Sequence, residues 1–481
     1  MPARRLEQNV DIDFTLRKVF GKDSFRPVQR EVITCSLEGR DVFLQAATSF
    51  GKSLCFQLPA VVDFGITIVI SPLLALMNNQ LASMQRAGIK VATINSTTKY
   101  TEKNAILDDL KSGHPRIRLL YVTPEYCELD YFRKALRIVH EQCELARIAI
   151  DEAHCISEWG HDFRPSFKKL DFFKKEFPSV PMICCTATAT QRVRDDIVDT
   201  LALDRLRLRS FTMTTHRPNL HYEVRFKNDE EDHYHDFTNW LKACYNRRLN
   251  DPRRNLELTQ RRERVTNVAG IIYTLFRKDT EALAARLCAD GIGAKPYHAG
   301  LTTEQKDDHL AGWVANKEGY DIIVATTAFG MGIDKENVRF VIHWQIPKSF
   351  EGFYQEAGRA GRDAKAACCI LYYSREDRDR AAFLLGRENE RNLSGPGFAR
   401  GKEASVQRAK SLQALISYCE NVGACRHQLI AQYFGDTTLP KCDWACDWHK
   451  DADKLFRSKE EHLASEEWCA TQRQSGAYDD T

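Results

Sequence analysis

From Val42 to about Leu203, short apolar runs alternate with stretches of helical character: Val42-Phe43-Leu44, Ile66-Thr67-Ile68-Val69-Ile70, Leu119-Leu120-Tyr121-Val122, Ile148-Ala149-Ile150 and Met182-Ile183-Cys184-Cys185. Each run is apolar at consecutive positions rather than at every second one. Such strands are buried on both faces, so the pattern predicts a parallel sheet with helices on either side. The alternation restarts with Gly270-Ile271-Ile272-Tyr273, Asp321-Ile322-Ile323-Val324-Ala325, Val338-Arg339-Phe340-Val341-Ile342-His343 and Ala367-Cys368-Cys369-Ile370-Leu371-Tyr372, which predicts a second α/β lobe. Between them, residues 228 to 267 change from acidic (Asp229-Glu230-Glu231-Asp232) to basic (Arg247-Arg248, Arg253-Arg254, Arg261-Arg262-Glu263-Arg264), the mark of a solvated helical insertion or loop.

From about Ser374 the strand signal stops and charged helical sequence follows, broken at Ser394-Gly395-Pro396-Gly397. The expected organisation is a first lobe over 1–206, a second over 207–374 carrying the inserted segment, a helical module over 375–450 and a charged tail over 451–481. The Gly476 to Thr481 end of that tail is expected to fray.

At 481 residues the chain is longer than one core usually serves, which agrees with several domains. A 43% apolar, 28% charged composition excludes a fibrous or mainly disordered chain. The formal net charge of +3 is too small to identify a polyanion partner, because a basic groove on one face can be offset elsewhere. The first residues, Met1-Pro2-Ala3-Arg4-Arg5-Leu6-Glu7, have no apolar core of a signal peptide, and no apolar run reaches the length of a membrane span. A reducing compartment and no membrane partner are therefore expected. The sixteen cysteines are scattered, and several, such as Cys184-Cys185 and Cys368-Cys369, sit inside apolar strands as small buried hydrophobes.

Three strings carry chemistry. Ala46-Ala47-Thr48-Ser49-Phe50-Gly51-Lys52-Ser53 follows an apolar strand and opens a helix, the setting in which backbone N–H groups hold phosphates. Lys52 is expected to reach the terminal phosphates and Ser53 to ligate magnesium, with Thr48, Ser49 and Gly51 completing the cradle. Asp151-Glu152 directly follows Arg147-Ile148-Ala149-Ile150, which places both carboxylates at the carboxyl end of a strand, where α/β sheets bind ligands. Asp151 is assigned to the magnesium shell and Glu152 to the attacking water. In Gln355-Glu356-Ala357-Gly358-Arg359-Ala360-Gly361-Arg362, Arg359 and Arg362 are expected on one helical face, supplying the positive charge that phosphoryl transfer demands. Upstream, the Gln29 amide in Phe25-Arg26-Pro27-Val28-Gln29 can read donor and acceptor on an adenine edge.

The motifs resemble those of the RecQ family of superfamily 2 DNA helicases over roughly residues 10 to 450. Phe25 to Gln29, with Arg26, is similar to its motif 0, Gly51 to Pro59 to motif I and Ser71-Pro72-Leu73-Leu74-Ala75-Leu76-Met77 to motif Ia. Thr186-Ala187-Thr188-Ala189-Thr190 is similar to motif III, and Ala328 to Lys335, with Asp334 among the nucleotide contacts, to motif V. The most distinctive string runs from Asp151-Glu152-Ala153-His154 through Trp159-Gly160-His161-Asp162-Phe163-Arg164-Pro165, joining motif II to the family's aromatic-rich loop. The resemblance implies two tandem RecA-like lobes and a helical zinc module. It also implies ATP-driven translocation on single-stranded DNA, 3′ to 5′ unwinding of tailed duplexes, a role in recombination and repair, and nuclear residence. His154, Trp159, His161, Phe163 and Arg164 take the role of sensing DNA and coupling it to hydrolysis, and aromatic and guanidinium planes suit sequence-tolerant stacking on bases. Departures are Lys22, where some members carry an adenine-stacking aromatic, Ser49-Phe50 in place of glycines, and the long 228–267 segment.

Cys425 opens the run to Gly435, and Cys442, Cys446 and His449 follow in a turn-rich stretch. Four such donors suit tetrahedral zinc in a structural role, with Cys419 a rival to His449 for the fourth position. The family carries cysteines here, and His449 stands where the last would be. Few residues follow His449, so the family's winged helix is expected to be missing. Two other functions fit: an RNA helicase, which shares Asp-Glu-Ala-His, and a DNA-binding or annealing scaffold whose affinity ATP modulates.

Overall fold

A computed structural model describes residues 11 to 463 except 49, 160–162, 229–231, 261, 262, 267, 328, 331–334, 394–397 and 444, so Ser49, His161 and Asp334 lie outside the described residues. The chain divides into two compact units between Thr215 and His216.

In the first unit seven parallel strands form one sheet. They are β1 (Val42–Gln45), β2 (Ile66–Ile70), β3 (Val91–Ile94), β4 (Leu119–Val122), β5 (Leu145–Ile150), β6 (Met182–Thr186) and β7 (Arg209–Thr212), in the order β3-β4-β2-β5-β6-β1-β7. β1, β2, β4, β5 and β6 are buried along their whole length, because helices cover both faces. β7 pairs with β1 in parallel, Val42 against Arg209, so the first sheet continues past the expected limit at residue 206.

The second unit holds six parallel strands: β8 (Leu220–Phe226), β9 (Gly270–Tyr273), β10 (Ala294–Tyr297), β11 (Ile322–Ala325), β12 (Phe340–His343) and β13 (Ala367–Tyr373), ordered β10-β11-β9-β12-β13-β8. The basic segment is not simply a solvated insertion. Its first helix, Tyr234–Leu249, sinks Tyr234, Phe237 and Leu241 into the core beneath β9, β11 and β12, because the i, i+3, i+7 spacing puts them on one stripe. Its second, Pro252–Gln260, buries only Leu258.

Helices Arg375–Leu393 and Phe398–Glu420 pack together, followed by Arg426–Phe434 and Asp447–His462. The last of these occupies much of the expected tail. It is kinked at Asp451 and buries Leu455, while residues 464–481 lie outside the described ones.

Candidate functional site

The first unit brings Lys52, Asp151 and Glu152 to the carboxyl ends of β1 and β5. Gly51 has φ +86°, and a Cβ there would come within 2.9 Å of Gln29 Nε2. Only glycine fits both demands. That same amide donates to Phe50 O (3.1 Å) and Gly51 O (3.2 Å), and Gln29 Oε1 accepts from Arg26 N (2.9 Å). Gln29 is 2% exposed. Its donor and acceptor brace the loop, so that Gln29 ties Arg26 to the phosphate turn. Thr48, Gly51, Lys52 and Ser53 lie in that turn, just before the helix Leu54–Val62.

Lys52 Nζ donates to Ala46 O (2.9 Å). Asp151 is buried at the end of β5, and burial pushes its carboxyl above the usual range while Lys52, the Gln80 amide (3.1 Å) and the Glu152 N–H pull it back. A buried carboxylate with this much demand for positive charge suits a divalent ion. Glu152 adopts φ 53°, the left-handed region. This turns its carboxylate towards His154, Oε2 to Nδ1 3.4 Å, while His154 Nδ1 also meets Thr186 Oγ1 at 3.0 Å. Thr186 Oγ1 accepts in addition from Thr188 N (3.2 Å). The acid pair is thus connected to the Thr186–Thr190 turn through one imidazole.

The aromatic segment continues that network. Ser157 Oγ donates to Asp196 Oδ2 (2.6 Å) and accepts from Trp159 N (3.2 Å). The Arg192 guanidinium lies 3.6 Å from the centre of the Trp159 ring. Arg164 Nη1 donates to Pro72 O (2.7 Å), and Lys168 Nζ stands 5.4 Å over Phe163.

In the second unit the arginine string corrects one expectation. The helix ends at Ala357, and Arg359 and Arg362 occupy a turn rather than one helical face. Gly358 caps the helix and Gly361 has φ +57°, so the chain cannot continue helically. Arg217 Nη2 donates to Ala360 O (3.1 Å) and Gly361 O (2.9 Å), and Asn219 Nδ2 donates to Gly361 O and Lys365 O (both 2.9 Å). Arg359 is buried beside Tyr273, whose hydroxyl donates to Phe329 O (2.7 Å). Tyr273 stacks on His343 (5.5 Å, 20°), and His343 Nε2 meets Glu356 Oε2 at 2.9 Å.

Cys425 and Cys446 precede the helices Arg426–Phe434 and Asp447–His462 as their N-caps, Cys442 sits in the intervening loop and His449 in the first turn of the latter helix. The ligand atoms of these four lie within 4.8 Å of one another, and Cys419 is outside the group. Cys446 Sγ lies 3.7 Å from Cys442 Sγ, 3.9 Å from Cys425 Sγ and 3.2 Å from His449 Nδ1. Zinc–sulfur bonds of about 2.3 Å in a tetrahedron put sulfurs about 3.8 Å apart, so the donors match that geometry. The Cys425 hydrogen bond holds the Cys446 thiol down to about 4 against its burial, with His449 assisting, whereas burial raises Cys442 to about 11. The loop also borders β8: Tyr222 N donates to Ala445 O (3.1 Å) and Val224 N to Asp447 Oδ2 (2.9 Å), while the fully buried Arg426 pairs with Asp447 (2.9 Å).

Three family models match this chain. DEAD/DEAH box helicase matches residues 26–197, helicase conserved C-terminal domain 253–364 and RecQ zinc-binding 375–450. ATP-dependent DNA helicase Q5 of Rattus norvegicus is 41% identical over 436 residues, which is 90% of this chain and 43% of that protein. The chain belongs to the RecQ family. RecQ-like DNA helicase BLM of Xenopus laevis is 38% identical over 88% of this chain and 29% of its own length. The chain therefore spans less than half of either relative. A crystal structure of the DUF1998 helicase MrfA bound to DNA shares the fold at TM-score 0.59, with 16% identity over 79% of this chain and 50% of that one.

Within this RecQ chain, the structure adds residues beyond the sequence-predicted set. Gln80 orients Asp151, Arg192 covers Trp159, and Arg217 with Asn219 staples the arginine turn. The string His216-Arg217-Pro218-Asn219 stands between two apolar patterns and carries no periodic signal, so only the fold reveals its purpose.

Proposed function

We propose that the chain is an ATP-dependent DNA helicase motor that translocates 3′ to 5′ on single-stranded DNA and unwinds tailed duplexes in recombination and repair in the nucleus. The observation that supports it most directly is the continuous link in the first unit from Asp151-Glu152 through His154 and Thr186, and from the same segment through Ser157 and Arg164 to Asp196 and Pro72. A base stacking on this loop would move the groups that orient the hydrolytic water.

Lys52 and the N–H groups of its turn bind the phosphates, with Thr48, Ser49 and Gly51 in the cradle and Arg26, Gln29 and Asp334 in support. Ser53 and Asp151 hold magnesium. Glu152 orients and deprotonates water, and Arg359 and Arg362 neutralise charge on the transferred phosphoryl group. Trp159, His161, Phe163 and Arg164 contact unpaired bases and backbone. Cys425, Cys442, Cys446 and His449 bind one structural zinc.

ATPase activity with and without single-stranded DNA or RNA, followed by unwinding of duplexes with 3′ or 5′ tails, tests this reading. Stimulation by DNA over RNA and separation of the 3′-tailed substrate are expected. Lys52→Ala should lower the stimulated rate by about two orders of magnitude or more. Greater stimulation by RNA would make it an RNA helicase, and binding with hydrolysis but no strand separation would make it a scaffold.

A further inference from the structure

The basic stretch in the second unit contains seven arginines between residues 247 and 264 against Asp251, Glu257 and Glu263. Four guanidiniums from four segments converge on its folded part. Arg248 comes from the helix Tyr234–Leu249, Arg254 from Pro252–Gln260, Arg264 from the approach to β9 and Arg339 from the approach to β12. Arg248 Nη2 donates to Arg264 O (3.3 Å). Arg254 and Arg339 are close enough to disfavour its charge, and with burial as the larger cause they bring Arg248 down to about 10.

One nearby carboxylate, Glu263, accepts from the Asn337 amide (3.1 Å) and partly offsets the repulsion at Arg248, while three others are paired with arginines. Glu257 pairs with Arg254 (2.9 Å), Asp321 with Arg264 (3.5 Å) and Asp363 with Arg339 (2.6 Å). Among the described residues, Arg247, Arg248 and Arg253 form no ion pair, and the buried Arg248 Nε has no hydrogen-bond partner. Arg247 and Arg253 are exposed. A cluster of like charges held together in this way is relieved by an external anion.

Its place in the fold limits what that anion can be. Arg264, Asp321 and Arg339 stand at the amino ends of β9, β11 and β12, where Arg339 N donates to Ala269 O and Gly270 N to Asp321 O. Tyr273, Phe329 and the turn that holds Arg359 gather at the opposite, carboxyl edge of this sheet. We propose that Arg247, Arg248 and Arg253 form a second contact for the DNA phosphate backbone, on the side of the second sheet opposite the turn that holds Arg359. Repeated phosphates rather than a single anion suit guanidiniums spread over two helices, and the extended donors of arginine match phosphate oxygens.

The proposal rests on DNA being the substrate, and its test separates the two. Full-length wild type and the exposed-surface variant Arg247→Gln/Arg253→Gln, with and without Arg248→Gln, are compared on blunt duplex, 3′-tailed duplex and single strand from 50 to 200 mM salt. Each lost phosphate contact should reduce the slope of log K against log[salt] by about 0.9 on duplex. Between those salt concentrations, wild-type affinity for duplex should fall about 40-fold further than that of the triple variant. ATPase at saturating single-stranded DNA should not change. Equal slopes for wild type and the exposed double variant, with equal melting temperatures, overturn the proposal. So does polyglutamate binding that these arginines support without any change in DNA slope, which would assign the surface to an acidic protein. Absence of DNA-stimulated ATPase in wild type would instead defeat the helicase reading, and the salt slopes would still decide the patch.

Discussion

Trp159 shows how a single contact can set a threshold. Its ring face is covered by Arg192 at 3.6 Å, and its backbone is tied through Ser157 to Asp196 on the same helix, Gln191–Thr200. A base that stacks on Trp159 must first displace the guanidinium, a contact worth about 1 kcal/mol. Arg192→Ala should therefore lower the DNA concentration for half-maximal ATPase by roughly five-fold, because 1.4 kcal/mol corresponds to a factor of ten. A titration of ATPase against an oligonucleotide measures this, and an unchanged or higher midpoint would show that Arg192 assists stacking instead of competing with it. Glu152 illustrates the converse economy of a site: its left-handed φ of 53° is strained for a residue with a Cβ and is kept where the carboxylate must point.

At the scale of elements, the arginine turn depends on one glycine. A Cβ on Gly361 would stand 2.5 Å from Asn219 Nδ2 and 2.8 Å from Lys365 O, at a φ that side chains avoid. Gly361→Ala should cost about 1–3 kcal/mol of stability and lower kcat, with the KM for ATP little changed if only the turn shifts. Thermal melting and steady-state kinetics together separate these effects. The sheets show which elements could be recognised beforehand. Interior strands such as β2 and β5 are buried on both faces and announce themselves as apolar runs. The strands that the runs do not mark, β3, β7, β8 and β10, are the four sheet edges. β7 is largely exposed, β8 alternates buried with half-buried positions, and β10 contains Pro296, which an edge tolerates. The Lys52, Asp151-Glu152 and Cys425–His449 placements were legible because each sits where a strand or helix ends. Arg217 and Asn219 were not, since their partners are backbone carbonyls more than 140 residues away.

At the scale of the whole molecule, the RecQ chain carries its four candidate zinc ligands within the second unit, next to β8. One zinc per chain is expected by metal analysis of purified protein. Cys446→Ala and His449→Ala should lose it, while Cys419→Ala should retain it, because Cys419 lies outside the cluster. Retention of full zinc by His449→Ala would remove that residue from the set. The loop that carries these ligands also meets two N–H groups of β8, at Tyr222 and Val224, through Ala445 O and the Asp447 carboxylate. Without the metal the loop is held there by these two bonds and the buried Arg426–Asp447 pair, and wherever they open an edge of the sheet with unpaired donors would become available to another chain. A bound zinc would then guard against strand-to-strand self-association as well as brace the loop, and chelation is expected to show first as light scattering that grows with protein concentration.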